Sequence, residues 1–355
     1  MKQTSHQHGG FGIAVILALA SCVLFTGCWR SSENQVVVYT ALDRQFSEPI
    51  FEDFTDRTGV QVRALYDVES NKTVGLANRI ITEGGRPRCD LFWNNEILHT
   101  LRLERKNLLE AYESERSGDF PKAFRSPDST WYGFAARARV LIVNTELLAP
   151  DEYPRSINEL ALPKWRGRAG IAKPLFGTTA THAACLFGTW GDQRAREFFR
   201  QVKQNASVQA GNKQVAQAVS SGVLAFGLTD TDDAIIELEN GHDVAIVYPD
   251  QGEDQMGTLF IPNTISLMRG APHGGPARQL LDFLLSPEVE VKLAEGRSAQ
   301  IPLNPNVNAT GRVETPQTVQ AMQVDFEAAA ERWGHAAEFL RQLFVRTDGG
   351  QTRTP

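Results

Sequence analysis

Cysteine is scarce in this chain of 355 residues, with four in all, at positions 22, 28, 89 and 185. Two of these fall in the first 28 residues, so the body of the protein holds Cys89 and Cys185 alone. Their separation is not that of a cysteine-based metal site. They make either one disulfide in an oxidising compartment or two small buried hydrophobes, and the sequence leaves both readings open. Positive charge is also in deficit. Lys and Arg number 36 against 42 Asp and Glu, a net charge of −6, which gives no reason to expect nucleic acid or an anionic membrane surface as partner. Enzyme signatures are missing as well. There is no Gly-x-Ser-x-Gly elbow, no His-Glu-x-x-His and no Gly-x-Gly-x-x-Gly fingerprint. Nothing fixes two carboxylates at glycosidase separation. No repeat or low-complexity block breaks the chain. The expectation is a protein that performs no chemistry.

Long apolar runs are absent except at the start. Lys2 precedes an apolar stretch from Phe11 to Phe25, which ends in Leu24-Phe25-Thr26-Gly27-Cys28. A basic start, a short apolar core and small residues before a cleavage point make an export signal over residues 1–28. The stretch is too short for a bilayer-spanning helix. A cysteine directly after Thr-Gly resembles a bacterial lipoprotein cleavage site, with Cys28 as the lipidated anchor. Ordinary secretion and an uncleaved anchor are the other two readings. All three put the rest of the chain in the periplasm or cell envelope.

The roughly 325 residues that follow exceed what one core usually serves, so two lobes are expected. Val36-Val37-Val38-Tyr39-Thr40 reads as a buried strand, and Phe46, Ile50, Phe51 and Phe54 recur at helical spacing as far as Thr58-Gly59. Val60 to Leu65 predicts a strand, Thr73 to Glu83 a helix and Cys89 to Trp93 a third strand. Alternation of this kind belongs to a parallel α/β sheet wrapped on both faces, whose ligands sit at the carboxyl ends of strands. The pattern restarts with a strand from Arg139 to Thr145, long enough to pass from one lobe to another. A basic turn and strand edge at Lys164–Ala172 and strands at Ala225–Thr229 and Val244–Tyr248 alternate with helices at Thr181–Trp190, Asn212–Ser220 and Thr231–Asn240. Leu259 to Met268 is a second candidate crossing strand. Helices follow at Ala277–Leu285 and Pro287–Glu295, and Ala321 to Phe344 is helical in pattern. We expect lobe 1 over 33–138 plus about 265–315, lobe 2 over 139–264 plus about 320–345, and a disordered tail over 346–355.

Several of these segments carry a family resemblance, running from about Val36 to Pro305. Val-Val-Val-Tyr-Thr-Ala-Leu-Asp at 36–43, Arg88-Cys89-Asp90-Leu91-Phe92-Trp93, and Trp131-Tyr132-Gly133-Phe134-Ala135-Ala136-Arg137-Ala138-Arg139-Val140 are three. Gly211-Asn212-Lys213, the run Ala218 to Thr229, and Leu284-Leu285-Ser286-Pro287-Glu288-Val289 are others. Together they resemble the extracellular solute-binding proteins of ABC importers, most closely the ferric-iron-binding branch. The resemblance implies a two-lobed fold of the type II periplasmic-binding-protein kind, an iron-like metal cargo with a synergistic anion, and ABC permease and ATPase subunits as partners. It sets Asp43 where that branch typically has a His, Asn95 at or beside a Glu with Glu96 next to it, and Asp232-Asp233 at two adjacent tyrosines. The tyrosine pair itself is missing. Tyr39, Tyr66, Tyr132 and Tyr248 lie elsewhere, none beside another.

The residues also speak for themselves. Asp43, Asp230, Asp232 and Asp233, with Glu96 nearby, bring carboxylates against one cleft, where they repel unless a cation neutralises them. Oxygen ligands suit Mg, Ca or Mn, and a carboxylate with the imidazole of His182 suits Fe(II). The plainer reading is that Thr231 or Asp232 caps a helix whose acidic first turn favours its amino end. Gly177-Thr178-Thr179-Ala180-Thr181-His182 opens a helix, where hydroxyls and free N–H groups make an anion site. The resemblance implies Thr179 and Thr181 there with Arg139, or next Arg137, at the hinge. As plain helix residues, Thr179 or Thr181 is a cap and His182 a satisfied histidine. Trp93, Trp131 and Tyr132 either line the cleft or fill the core. Three functions follow: metal capture for an importer, capture of a phosphonate, sugar phosphate or polyamine on the same fold, and an envelope ligand sensor.

Overall fold

A computed structural model describes Met1 and residues 34–67, 73–307 and 311–345. The export segment, Cys28 and the tail from 346 lie outside the described residues. The first β/α units come from the apolar runs read above. Gln35–Thr40 (β1) leads to the helix Arg44–Thr58 (α1), Gln61–Tyr66 (β2), the helix Val74–Glu83 (α2) and Leu91–Asn94 (β3). The short helix Leu98–Arg105 (α3) and the strand Leu109–Glu110 (β4) follow, neither anticipated. A 14-residue strand, Trp131–Asn144 (β5), is buried along its whole length.

Beyond it come Ala169–Ala172 (β6), the helix Gly177–Asn205 (α4), Ala206–Gln209 (β7), the helix Asn212–Ser220 (α5), Phe226–Asp230 (β8), the helix Thr231–Glu239 (α6) and Val244–Val247 (β9). Phe260–Met268 (β10) and the helices Gly274–Leu284 (α7), Pro287–Glu295 (α8) and Phe326–Phe344 (α9) complete the described chain. Three boundaries differ from expectation. The helix expected from Thr181 starts at Gly177 and runs on past a backbone break at Gly191, where φ is 74° and ψ 168°. The last helix starts at Phe326, five residues later than its pattern. β5 starts at Trp131, because the stretch leading to Arg139 is already paired.

Hydrogen bonding links the strands in the order β2-β1-β3-β10-β5-β8-β6-β7, with β4 on β10 and β9 on β5. β5 divides this array. Its first half, as far as Ala138, pairs antiparallel with β10. Its second half, from Arg139, pairs antiparallel with β8 and β9. β1, β2 and β3 are mutually parallel, and so are β6, β7 and β8. The molecule is therefore a two-lobed α/β fold of the type II kind, each lobe a mostly parallel sheet flanked by helices. Leu259–Met268 leads from the second lobe to the first: Leu259 accepts from the N–H of Arg139 and lies with Ile261 in one buried cluster with Phe226 and Leu228, and from Phe260 on the strand pairs with the first half of β5 and with β3.

Val36, Val38, Phe51, Phe54, Trp93 and Phe134 belong to one buried cluster, which runs on into Val140, Ile142, Val219 and Val244 of the second lobe, and Leu141, Phe187, Phe199, Phe226 and Leu340 belong to another. Cys89 and Cys185 are both free and buried, in different clusters. α9 packs its Phe339 edge-on against Phe187 of α4, with ring centroids 6.1 Å apart. Arg105 of α3 reaches Glu327 of α9 at 2.7 Å, so the last helix touches both lobes.

At the bulge in β5 the ladder slips between Ile261 and Asn263, and Ala135 takes a left-handed φ of 46°. Buried Glu290 of α8 fixes this slip by accepting the N–H groups of Ala135, Leu303 and Asn304 at 2.8–2.9 Å. Burial pushes that carboxyl up, against the pull of those three donors.

Candidate functional site

Strand direction decides where polar side chains gather. β1, β3, β6, β7 and β8 all release the chain toward one small cavity of about 60 Å³. Asp43 follows β1 and Asn95 follows β3. Lys173, Phe176, Gly177, Thr178 and Thr179 follow β6. Ala210 to Lys213 follow β7, and Asp230, Asp232 and Asp233 follow β8. This is the carboxyl-end rule for parallel sheets. Helices α1, α4, α5 and α6 begin at or beside the same residues, so four amino termini, with their positive dipole ends, face the cavity.

Two arginines of β5 stand behind and within this lining. Arg139 is fully buried and directly opposite Asp230 in the ladder. Its guanidinium donates to Asp230 Oδ1 at 2.5 Å and to the hydroxyls of Thr178 and Thr179 and the amide oxygen of Asn212 at 3.1–3.2 Å. Asp230 also accepts from Thr178 at 2.5 Å and from Asn212 at 2.9 Å. Arg139 therefore sets the loops of the second lobe without lining the cavity itself. Arg137, equally buried, does line it. It donates to the carbonyl of Asn95 at 3.0 Å and to Asn263 at 3.1 Å, and its Nε lies 3.4 Å from Asp232 Oδ2. Burial works against its charge, and Asp232, Asp230, Asp43 and Asp233 together outweigh that and hold the guanidinium above its ordinary range.

Asp230, Asp232 and Asp233 can each offer one oxygen, all within 4.8 Å of one another. The cap position of α6 is Asp230, and its side chain makes no capping bond. Thr231 accepts from the N–H of Ala138 at 3.1 Å, and Asp232 Oδ1 accepts from the N–H of Asp233 at 3.2 Å.

Of the residues singled out from sequence, Asp43, Asn95, Thr179, Asp232 and Asp233 meet at the cavity. Arg139, Glu96, Thr181 and His182 lie behind it. Glu96 is committed to local structure and to the seam between lobes. It accepts from the N–H groups of Leu98 and His99 at the start of α3, from Asn94 at 2.6 Å and from Thr181 at 2.8 Å. His182 is buried with Nδ1 unpaired. Burial first, then the Arg139 charge, push its imidazole well below its ordinary range, so it is neutral. Trp93 belongs to the core, with Phe51 and Phe134 rings 5.5 and 5.3 Å away. Trp131 and Tyr132 are turned to Glu104 and the Tyr112 carbonyl, and none of the three lines the cavity. Sequence reasoning missed Lys173, Lys213 and Asn212 as lining residues. The rule that pointed at the ends of β1 and β3 finds them too, once β6 and β7 are known to run parallel to β8.

Among the cavity residues, four carboxylates face three cations, Arg137, Lys173 and Lys213, with Arg139 as the fourth cation behind. The lining is thus electrically balanced, with its acids after β1 and at and after the end of β8, its lysines after β6 and β7, and the hydroxyls of Thr178 and Thr179 at the start of α4.

The sequence profile of the bacterial extracellular solute-binding protein family matches residues 98–330. Over 318 residues the chain is 25% identical to the major ferric iron-binding protein of Neisseria meningitidis, covering 88% of this chain and 93% of that one. Iron-bound HitA from Pseudomonas aeruginosa shares the fold with a TM-score of 0.79 at 21% identity, over 87% of this chain and 99% of its own. AfuA from Actinobacillus pleuropneumoniae, solved with fructose-6-phosphate bound, does so with a TM-score of 0.78 at 20% identity, over 89% and 100%. Its sequence profile and its two-lobed fold place the chain in the bacterial extracellular solute-binding protein family, a family of non-catalytic transport proteins of the cell envelope.

Proposed function

We propose that the protein captures a metal cation, iron-like in charge, together with a small anion, and delivers it to an ABC importer. The observation that carries this reading is the lining of a cavity of about 60 Å³ by four carboxylates, balanced by lysines, an arginine and hydroxyls. That space suits an ion and a few small ligand atoms rather than a large organic solute. Asp43, Asp232, Asp233 and the amide oxygen of Asn95 supply hard oxygen ligands. Thr178, Thr179, Lys173 and Lys213, at the amino ends of α4 and α5, supply donors for the anion. Arg139 keeps those donors in place, while Glu96, Thr181 and His182 act behind the site. The relative from Neisseria meningitidis is named for ferric iron binding, which supports the same cargo class. With no tyrosine in the lining, carboxylates take the part that phenolates play for Fe(III) elsewhere.

In this reading the two lobes, divided near residues 138–139 and again ahead of β10, close over the cargo. The closed shape is what the permease recognises, and a separate subunit hydrolyses ATP. Cys28, lipidated, tethers the protein to the membrane. The test is the double variant Asp232→Asn/Asp233→Asn. We expect cation affinity to fall by at least about ten-fold, and the two single losses not to add, because neighbouring ligands share one partner. Asn serves as well as Asp at a helix start, so unaltered affinity with an intact fold would remove the pair from the site.

A second reading has its own observation. The cavity opens into a further space of about 230 Å³ that shares Asp43, Lys213 and Asp233 and adds Gln45, Gln217 and Arg297. A sugar phosphate or other phosphorylated solute would fill both, and AfuA was solved with fructose-6-phosphate. A thermal-shift screen of such solutes in metal-free buffer separates the two readings.

A further inference from the structure

The helix that carries Asp232 and Asp233 to the cavity has its other end against the first lobe. α6 belongs to the second lobe, where Ser220 of α5 donates to its Glu237 at 2.7 Å. α8 belongs to the first, where its Glu288 and Lys292 pair with Arg57 and Asp53 of α1. The carboxyl ends of these two helices meet between the lobes. Each end carries partial negative charge on its last carbonyls, and Glu239 adds a full one, so the approach is unfavourable without a cation between them. Arg312 stands there. Its Nη1 donates to Glu239 Oε1 at 2.6 Å, and its Nη2 donates to the carbonyls of Ala294, at 3.2 Å, and Gly296. Arg297, just past α8, directs its Nη2 to Oδ1 of Asn240, the residue that ends α6, 3.5 Å away. Beyond Arg312 the chain runs on to the second lobe, where the N–H of Glu314 donates to the Tyr248 hydroxyl at 2.9 Å and the carbonyl of Gln320 accepts from the N–H of Thr258 at 2.9 Å.

We infer that Arg312, with Arg297 beside it, clasps the two lobes together and positions α6 against the first lobe, so that Asp232 and Asp233 stand near Asp43 before any cargo arrives. None of Arg312, Glu239, Arg297 and Asn240 lines the small cavity, so the clasp needs no cargo to form. α6 has nine residues, a rigid rod of about 14 Å, and a shift at its carboxyl end is carried to the acids at its amino end. Arg312 and Glu239 keep 30% and 39% of their side-chain surface exposed. A pair so placed is weak enough to open and is screened by salt. Arg312 is thus a positioning residue that touches no cargo. The inference goes beyond the cargo reading above, and the two fail separately.

The experiment is small-angle X-ray scattering of the metal-stripped full chain, unaltered and as Arg312→Gln and Glu239→Gln, at about 0.05 M and about 0.5 M NaCl. At low salt we expect both variants, still cooperatively folded, to expand by at least about 0.5 Å on a radius of gyration of about 20 Å. High salt should expand the unaltered chain toward the same size and leave both variants unchanged. A variant as compact as the unaltered chain, or an equal salt response in all three, would overturn the clasp. Should Arg312→Gln not fold, Glu239→Gln decides alone. Calorimetric titration with Mn(II) and with Fe(III) then reads the positioning of the acids. Any cation affinity of the unaltered chain should fall about two- to five-fold in both variants, and expansion with unchanged affinity would overturn that positioning. If the unaltered chain binds neither ion but the variants expand, the clasp stands and metal capture falls. If it binds and the variants stay compact, metal capture stands and the clasp falls.

Discussion

Arg139 and Asp230 are opposite one another on paired strands, and that register decides what each side chain does. A buried ion pair of this kind adds little net stability, but it severely penalises the loss of one partner. Other buried groups at this scale respond to pH. His182 and His99 are both deeply buried. Burial lowers both imidazoles below the ordinary value of 6.5, opposed at His99 by the Glu96 charge and helped at His182 by that of Arg139. The unfolded chain takes up a proton at each ring near that value and the folded one does not. Stability is therefore full above about pH 6.5 and lost as pH falls below it, by up to about 1.4 kcal/mol per pH unit for each histidine. Urea unfolding at pH 7.5, 6.5 and 5.5 measures this. In the double variant His99→Asn/His182→Asn the slope contributed by these rings should vanish, and an equally steep loss there would refute the assignment.

The sequence showed Asp43, Asn95, Thr179, Asp232 and Asp233 at the cavity because each follows a recognisable strand or sits in a family segment. Glu96, named beside the ligands from sequence, stands two residues before α3 and accepts the N–H groups of Leu98 and His99, a helix start that the pattern did not reveal.

At the scale of elements, β5 is shared by both lobes. Its apolar run from Val140 to Val143 was legible, while Trp131 to Arg139 was harder to read, because two arginines inside a fully buried strand contradict the usual pattern. They are tolerated because Asp230, Asp232, Asn95 and Asn263 meet them, contacts that only the tertiary fold supplies. The other sensitive junction is where α5 lies on β8. A Cβ added to Gly227 would stand 2.4 Å from Val215 Cγ1 and 3.1 Å from the Gly170 carbonyl. Gly227→Ala must push α5 off β8 or part β8 from β6. We expect a cost of about 1–3 kcal/mol and weaker cargo binding, since Asn212 and Asp230 ride on those elements. An unchanged denaturation midpoint would show that the contact yields freely.

Across the whole molecule, the two-lobed plan was readable from alternating strand and helix signals and from a chain length beyond one core. The return to the first lobe was legible as well, in the apolar run Leu259–Met268. Function follows from the plan. Parallel strands of both sheets end at one cavity and bring acids from β1 and β8 against lysines from β6 and β7, so the cargo reading is a statement about charge pairs and not about a single ligand. α9, in contact with α3 and α4, ties the lobes on a further side.

The most direct test is titration calorimetry of the metal-stripped full chain with Fe(III), Fe(II), Mn(II) and Ca(II), each with and without bicarbonate or phosphate. The account predicts saturable one-to-one binding of at least one of these cations, tighter when the anion is present. No saturable binding in either buffer, from a chain that binds a sugar phosphate without metal, would contradict it.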